Sequence, residues 1–511
     1  MTVKSKLKIN SRRNLEEVVI GLDVSTTATK AIAINKIGNI LAYSAAPIKL
    51  YSPRKNYYEQ NPNDWWKSTQ KVLRNISRQI EPSRIKALAI SNQRETFAVF
   101  DKSHNLLRPA IIWLDERCKD EVIKFSEKIG KKKIHRITGK PVDFAPVAYR
   151  LAWMKKHEPS IYKKIHRIFD VQSYLVWKLT GFFKTSWASA DPLGLFDLKK
   201  KIWSETILDT LKLTESQLPL IYSPGTNLGS ITEKASKQTG LNIGTLIIAG
   251  GGDGQSGGLG AGVLNSKRAY LNLGTAVVMG LYGEKYLISN AFRTMGSFND
   301  TGYYYESSLR AGTFTLNWFI KNILRKDPDK SLKVYMQLEK DAERINTGSD
   351  GLFFLPYLSG AMNPYWDTDA KGTFVGIKSS HAHAHFYKAI LEGIAFEQLL
   401  VLNSIKQKLH TDVRELIAIG GGASNRLWCQ ILADITGKNI LLQTVSESSA
   451  LGAGIAASVG IGWYNEFEIA VKKMSHTKIM FRPDNKKHIV YKSLFPIYKR
   501  IYPALKTGKI F

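Results

Sequence analysis

An α/β protein of two domains is the fold class the sequence predicts, on three observations. Short runs rich in Val, Ile and Leu alternate along the chain with longer segments whose apolar residues recur at helical spacing. An apolar strand, a small polar turn and a second apolar strand follow one another twice, at residues 18–34 and again at residues 269–278. With 511 residues, 44% of them hydrophobic and 11% aromatic, the chain exceeds what one core usually organises and holds enough apolar material for two.

Bulk properties narrow the function classes. Cys118 and Cys429 are the only cysteines and lie far apart, which argues for a reducing compartment and against a disulfide framework or a cysteine-built metal site. Residues 1–13 are polar and basic with no signal-peptide core, and no window approaches the roughly 18 to 20 apolar residues of a membrane span. A soluble, cytoplasmic protein without a membrane partner is expected. The formal charge of +30 is spread over Lys and Arg with short clusters at residues 131–133 and 199–201, and no nucleic-acid motif accompanies it. No nucleic-acid partner is expected, while a positive field favours an anionic substrate such as a nucleotide phosphate.

Taken in order, residues 18–34 read as a hairpin with Asp23, Ser25, Thr26 and Thr27 at its tip, either a receptor for phosphate oxygens or a plain turn. Asn61-Pro62-Asn63-Asp64 caps a helix whose apolar positions continue through Val72, Leu73 and Ile76. Residues 85–91 form a short strand that delivers Asn92-Gln93-Arg94-Glu95-Thr96 at its carboxyl end, the edge where ligands gather in open α/β sheets. The run 110–112 delivers Trp113 and Asp115 in the same way. Helical patterns dominate from 121 to about 179.

Residues 246–248 then lead into a glycine-rich stretch, 249–262, whose single acid is Asp253. An isolated carboxylate at a strand end, framed by glycines, is what a general base acting on a small hydroxyl compound needs, and also what an ordinary glycine turn looks like. Residues 416–419 enter Gly420-Gly421-Gly422-Ala423-Ser424-Asn425, a glycine turn before a helix that lets backbone approach a flat ring or a phosphate. His381, His383 and His385 alternate as metal ligands on a strand would, but fit better a solvated segment opening the next helix.

Residues 18–30, 92–96, 250–255, 271–275, 360–372 and 420–425, in this order and spacing, resemble the FGGY family of carbohydrate kinases, over the chain from about 18 to about 463. The resemblance implies two actin-like ATPase (ribonuclease H-like) domains with a cleft between them. Residues 1–17 would be a basic N-terminal extension, 18–262 the sugar-binding domain with the catalytic base, 263–470 the nucleotide-binding domain and 471–511 a C-terminal tail. It further implies ATP and Mg²⁺ as cofactors, a small sugar or polyol as partner, and a cleft that closes to keep water from the phosphoryl group. A homodimer is left open.

By position, the resemblance makes Asp253 the catalytic base and Asp23 the carboxylate acting on Mg²⁺. It assigns ATP to Ser25, Thr26, Thr27 and Lys30, to Gly274, Thr275, Gly312 and Asn317, and to Gly421, Gly422 and Asn425. It assigns the acceptor to Arg94, Glu95 and Gln255, although an Arg-Glu pair can equally be a structural salt bridge. By their place Trp113 and Asp115 are further pocket residues, Trp113 offering either an apolar face to sugar carbons or a core side chain. Tyr365-Trp366-Asp367 resembles a family signature of structural role near the hinge. Asn92-Gln93-Arg94-Glu95-Thr96 is glycerol-kinase-like, whereas residues 250–253 and 355–360 are xylulokinase-like. Ala145 stands where a glycerol-contacting tyrosine is expected, and Gly254 separates Asp253 from Gln255. An ATP-dependent kinase of D-xylulose is expected, with glycerol or a tetritol as the alternative acceptor and a catalytically silent sensor as a third reading.

Overall fold

The first strand, β1 (Val18–Val24), is buried along its whole length, as suits a strand covered on both faces. It belongs to a computed structural model that describes residues 16–327 and 332–511, so that of the basic extension only Glu16 and Glu17 fall within the described residues. A three-residue tip turns the chain into β2 (Ala28–Ile34), antiparallel to β1 with Asp23 opposite Lys30, and β3 (Ile40–Pro47) follows. The Asn61 side chain accepts the Asn63 amide and opens α1 (Pro62–Gln79), where the cap sequence placed it. Next come β4 (Ile85–Asn92), β5 (Asn227–Ser230) and β6 (Leu246–Gly252), completing a sheet of order β5-β6-β4-β1-β2-β3.

Within it β1, β4 and β6 run parallel, and Val24, Asn92 and Gly252 are in register. The three chain turns that follow these residues therefore open on one edge, the carboxyl edge on which α/β sheets place their ligands.

Helix α2 (Asp253–Gly260) leaves β6 directly. The hairpin β7 (Arg268–Leu273) and β8 (Val277–Gly283) repeats the geometry of β1 and β2, and is followed by β9 (Arg293–Gly296), β10 (Tyr303–Leu309) and the short helix α3 (Thr313–Trp318). Then come α4 (His383–Leu409), β11 (Glu415–Ile419), α5 (Arg426–Thr436), β12 (Asn439–Gln443), α6 (Ser448–Gly460), β13 (Thr477–Phe481) and α7 (Asn485–Thr507). The second sheet has the order β9-β10-β8-β7-β11-β12-β13. Because β7 and β11 are parallel, with Asn272 beside Ile419, the 274–276 tip and the 420–425 turn share an edge.

Several sequence expectations need correction. The span 121–179 is interrupted by a strand, Arg167–Asp170, whose apolar run is too short to show a period. The stretch 471–511 is not a tail: it adds β13 to the second sheet, and α7 buries Tyr491, Phe495, Tyr498 and Tyr502, with Phe495 and Tyr498 stacked on Phe396 of α4 and Tyr491 edge-on to it. Their spacing is helical, a signal present in the sequence. The histidines, by contrast, open a helix as expected: α4 begins at His383, and His385 pairs with Asp350 at 3.2 Å.

Helix α6, although it comes after most of the second sheet in sequence, packs on the first: Leu451 and Ile455 join Val19, Ile32, Ala87 and Ile248 in one core. It crosses α2 with backbone against backbone. A Cβ at Gly452 would lie 1.9 Å from the Ser256 carbonyl oxygen, so the crossing has no room for a methyl group.

Candidate active site

Asp253 is the first residue of α2 and sits at the carboxyl edge of the first sheet. Its Oδ1 lies 3.0 Å from Arg94 Nε, and 41% of its side-chain surface stays open to the cleft. Burial among the surrounding protein atoms pushes its carboxyl above the ordinary range; Arg94 opposes this, and Glu95 and Glu306 add to it. A carboxylate raised in this way binds a proton more readily than a free one, which suits a general base.

Arg94, just past β4, uses its remaining nitrogens on Glu306 of β10, Nη1 to Oε2 at 2.9 Å and Nη2 to Oε1 at 3.0 Å. Arg293 of β9 donates from Nη1 to Glu95 Oε1 at 3.1 Å and from Nη2 to Glu306 Oε1. Tyr270 of β7 donates its hydroxyl to Glu306 Oε2 at 2.9 Å. Burial alone would push Glu306 up, but Arg94 and Arg293 overcome it and hold the carboxyl down at about 2. Glu95 adopts a left-handed backbone, φ 47°, and its carbonyl accepts from the fully buried Arg150 at 2.5 Å. This Arg150 contact helps maintain a conformation that costs a non-glycine residue about 1 kcal/mol or more.

The sequence reading thus found Asp253, Arg94 and Glu95, which the structure joins, and missed Glu306, Arg293 and Tyr270. The signal for the first two was a lone charge inside an otherwise apolar strand, in Tyr303-Tyr304-Tyr305-Glu306 and in Phe292-Arg293-Thr294-Met295. Gln255 lies beside the cluster on α2, its Nε2 donating to Ala188 O at 3.0 Å and its buried Oε1 unpartnered. Asp115 is not brought to it. Fully buried, Asp115 accepts from the Tyr58 amide at 2.6 Å and from Arg117 Nε and Nη2 at 2.7 and 2.8 Å, which makes it a structural ion pair. Trp113 stands 38% exposed over the first hairpin, where its Nε1 donates to Thr26 Oγ1 at 2.8 Å.

Asp23, at the end of β1, shares the edge with Asp253. Burial pushes its carboxyl up to about 7; Ser91 Oγ, donating at 2.7 Å, opposes this and the nearby Asp253 adds to it. Lys30 reaches across to Glu447, before α6, at 2.8 Å. Ser25 Oγ closes its own turn on Ala28 O at 2.8 Å, while Thr27 is exposed.

On the second sheet, Gly274 and Gly312 meet: the Thr313 amide donates to Gly274 O at 2.9 Å, and the Phe314 amide to Thr275 O at 3.3 Å. A Cβ on Gly421 would meet nothing within 4 Å, leaving that turn open to a flat group. Two positions that the resemblance assigned to ATP have committed side chains. Asn425 caps α5 by accepting the Trp428 amide at 2.8 Å and donates to Tyr387 Oη at 3.1 Å, and Asn317 accepts from the Tyr335 hydroxyl.

Each sheet thus presents a hairpin tip at one edge, and at the edge of the first a carboxylate stands beside Arg94, itself paired with Glu306. Residues 18–260 match the N-terminal domain and residues 269–461 the C-terminal domain of the FGGY family of carbohydrate kinases, and the chain belongs to that family. It is 30% identical over 498 residues to the xylulose kinase of Bacillus subtilis (strain 168), covering 96% of this chain and 97% of that one. Among solved structures, the ligand-bound xylulose kinase of Lactobacillus acidophilus superposes with a TM-score of 0.89 at 25% identity, covering 97% of this chain and all of the other. The gluconate kinase of the same organism superposes with a TM-score of 0.90 at 25% identity and the same coverage.

Proposed function

We propose that this chain transfers the γ-phosphate of ATP to a hydroxyl of D-xylulose, with Asp253 as the general base and Arg94 and Glu95 beside the acceptor. The observation that carries this is the convergence of Asp253, Arg94 and Glu95 at the carboxyl edge of the first sheet. Asp253 Oδ takes the proton of the acceptor hydroxyl as that oxygen bonds to the γ-phosphorus, and the bond from that phosphorus to the β,γ-bridging oxygen breaks, releasing ADP. Glu95 and Gln255 accept hydrogen bonds from neighbouring hydroxyls. The tips at Thr26–Thr27 and Gly274–Thr275 present amides and hydroxyls to the phosphates, and Gly421–Gly422 leaves space for the adenine ring.

Asp23 is the residue that would hold Mg²⁺. It is a buried carboxylate next to a second one, and among the described residues only the Ser91 hydroxyl is bonded to it. Among the described residues no three His, Cys, Asp or Glu side chains are grouped to form a protein-only metal site. That arrangement fits a hard dication that one or two carboxylates share with phosphate oxygens. When bound, the ion neutralises charge on the transferring phosphate. Asp23→Asn is expected to raise the Mg²⁺ concentration for half-maximal rate by about tenfold or more, read in a Mg²⁺ titration; an unchanged titration removes Asp23 from this role. We propose a cytoplasmic location for the protein, whose two cysteines are both buried.

The acceptor is tested by ADP release over D-xylulose, D-ribulose, L-ribulose, erythritol and glycerol. D-xylulose is expected to give the highest kcat/KM. Glycerol in first place overturns the choice of acceptor, and no acceptor-dependent release overturns the kinase reading.

A further inference from the structure

We infer that Glu306, brought in from the second sheet, makes the acceptor site select neutral polyhydroxy compounds over aldonates by occupying the guanidinium fork of Arg94. This rests on Arg94 and Glu95 flanking the acceptor, as proposed above. An aldonate differs from a ketose by a carboxylate, and beside Asp253 the natural partner for a carboxylate is a bidentate arginine.

The fork of Arg94 is already filled: Nη1 and Nη2 donate to the two oxygens of Glu306, and Nε lies 3.0 Å from Asp253 Oδ1. Arg293 gives Nη1 to Glu95 and Nη2 to Glu306, while its buried Nε has no partner among the described residues. Three carboxylates, Asp253, Glu95 and Glu306, thus face two guanidiniums, and the cluster is formally one negative charge in excess. Of the other buried cations nearby, Lys140 is paired with Asp191, and Arg150 keeps its charge but directs its Nη donors at the main-chain oxygens of Glu95, Phe144, Ala145 and Trp113 rather than at a ligand.

Displacing Glu306 would also be costly, since it is 1% exposed and bonded to Arg94, Arg293 and Tyr270. Removing a buried carboxylate from its partners leaves guanidiniums desolvated and unpaired. A neutral hydroxyl needs no such exchange, because Glu95 and Asp253 accept from it directly. The spacing Asp253-Gly254-Gln255 now has a reason. A Cβ on Gly254 would lie 2.7 Å from Glu306 Oε2 and 2.9 Å from Arg94 Nη1, so glycine is what lets Glu306 seat in the fork. Glu306 is accordingly a specificity-setting, positioning residue that acts through Arg94.

The test compares kcat/KM for D-gluconate with that for D-xylulose in the wild-type full chain, in Glu306→Gln and in Glu306→Asp. The ratio is expected to rise at least about tenfold in Glu306→Gln, where one negative charge is lost a few ångströms from the ligand, and to stay near the wild-type value in Glu306→Asp, which keeps the charge. A merely structural role would lower both rates together and leave the ratio unmoved, which overturns the inference; so does a ratio that rises equally in both variants. If Glu306→Gln does not fold, the wild-type protein carries the test through inhibition of D-xylulose phosphorylation. Xylitol is expected to inhibit at least about tenfold more strongly than D-xylonate, and equal inhibition, or none by either, contradicts the inference. A wild-type protein without any acceptor-dependent ADP release would instead overturn the proposed function itself.

Discussion

Replacing Asp253 with Asn is expected to lower kcat for D-xylulose by about 10²- to 10⁴-fold while ATP still binds, the range attributed to a positioned general base. Asn keeps the shape of the side chain but has no basic oxygen for the acceptor proton. The site does not collapse around it, because Arg94 keeps both of its bonds to Glu306 and α2 still begins at the same backbone position. The loss should therefore fall on kcat, with ATP affinity by calorimetry unchanged. Activity within a few-fold of wild type would remove Asp253 from the chemistry.

The second large effect is structural. Gly452→Ala is expected to destabilise the fold by about 3 kcal/mol or more, the upper end of what overpacking a close contact costs. The added methyl would sit 1.9 Å from the Ser256 carbonyl oxygen and 2.7 Å from its carbon, and both belong to backbone that no rotamer change can move aside. Helices α2 and α6 would have to separate. Ser449 Oγ donates to the carbonyl of Asp253 at 3.1 Å, so that separation also shifts the proposed base. A lower denaturant midpoint should therefore come with lost activity at temperatures where the protein is still folded. A variant with wild-type midpoint and rate would contradict the crossing.

What the sequence revealed of this site depended on where a residue stands relative to its strand. Asp23, Arg94 and Asp253 each occur at or just beyond the end of an apolar run, and the parallel register of β1, β4 and β6 carries them to one edge. Local pattern sufficed there. Glu306 lies inside β10 and Arg293 opens β9, more than 190 residues from their partners Arg94 and Glu95, and only the pairing of β9 with β10 and the meeting of the two sheets bring them together. Nothing local encodes that contact.

Asp115 erred in the other direction. Its place after a strand resembled a pocket position, but Arg117, two residues on, was near enough to claim it. Asn425 stands in the expected turn, where its side-chain oxygen accepts the Trp428 amide as an Asn before a helix ordinarily does. The second-sheet helix α6 lodged on the first sheet shows why a boundary drawn along the chain does not divide the packing: the small residues of 450–457 fit a surface whose strands come from residues 18–34 and 85–92.

The measurement that bears most directly on the central claim is the fate of the γ-phosphate, followed by ³¹P NMR with the wild-type chain, ATP, Mg²⁺ and D-xylulose. One sugar phosphomonoester is expected for each ADP formed, with no ADP when the acceptor is left out. ADP accompanied by inorganic phosphate at the same rate with and without acceptor would contradict it.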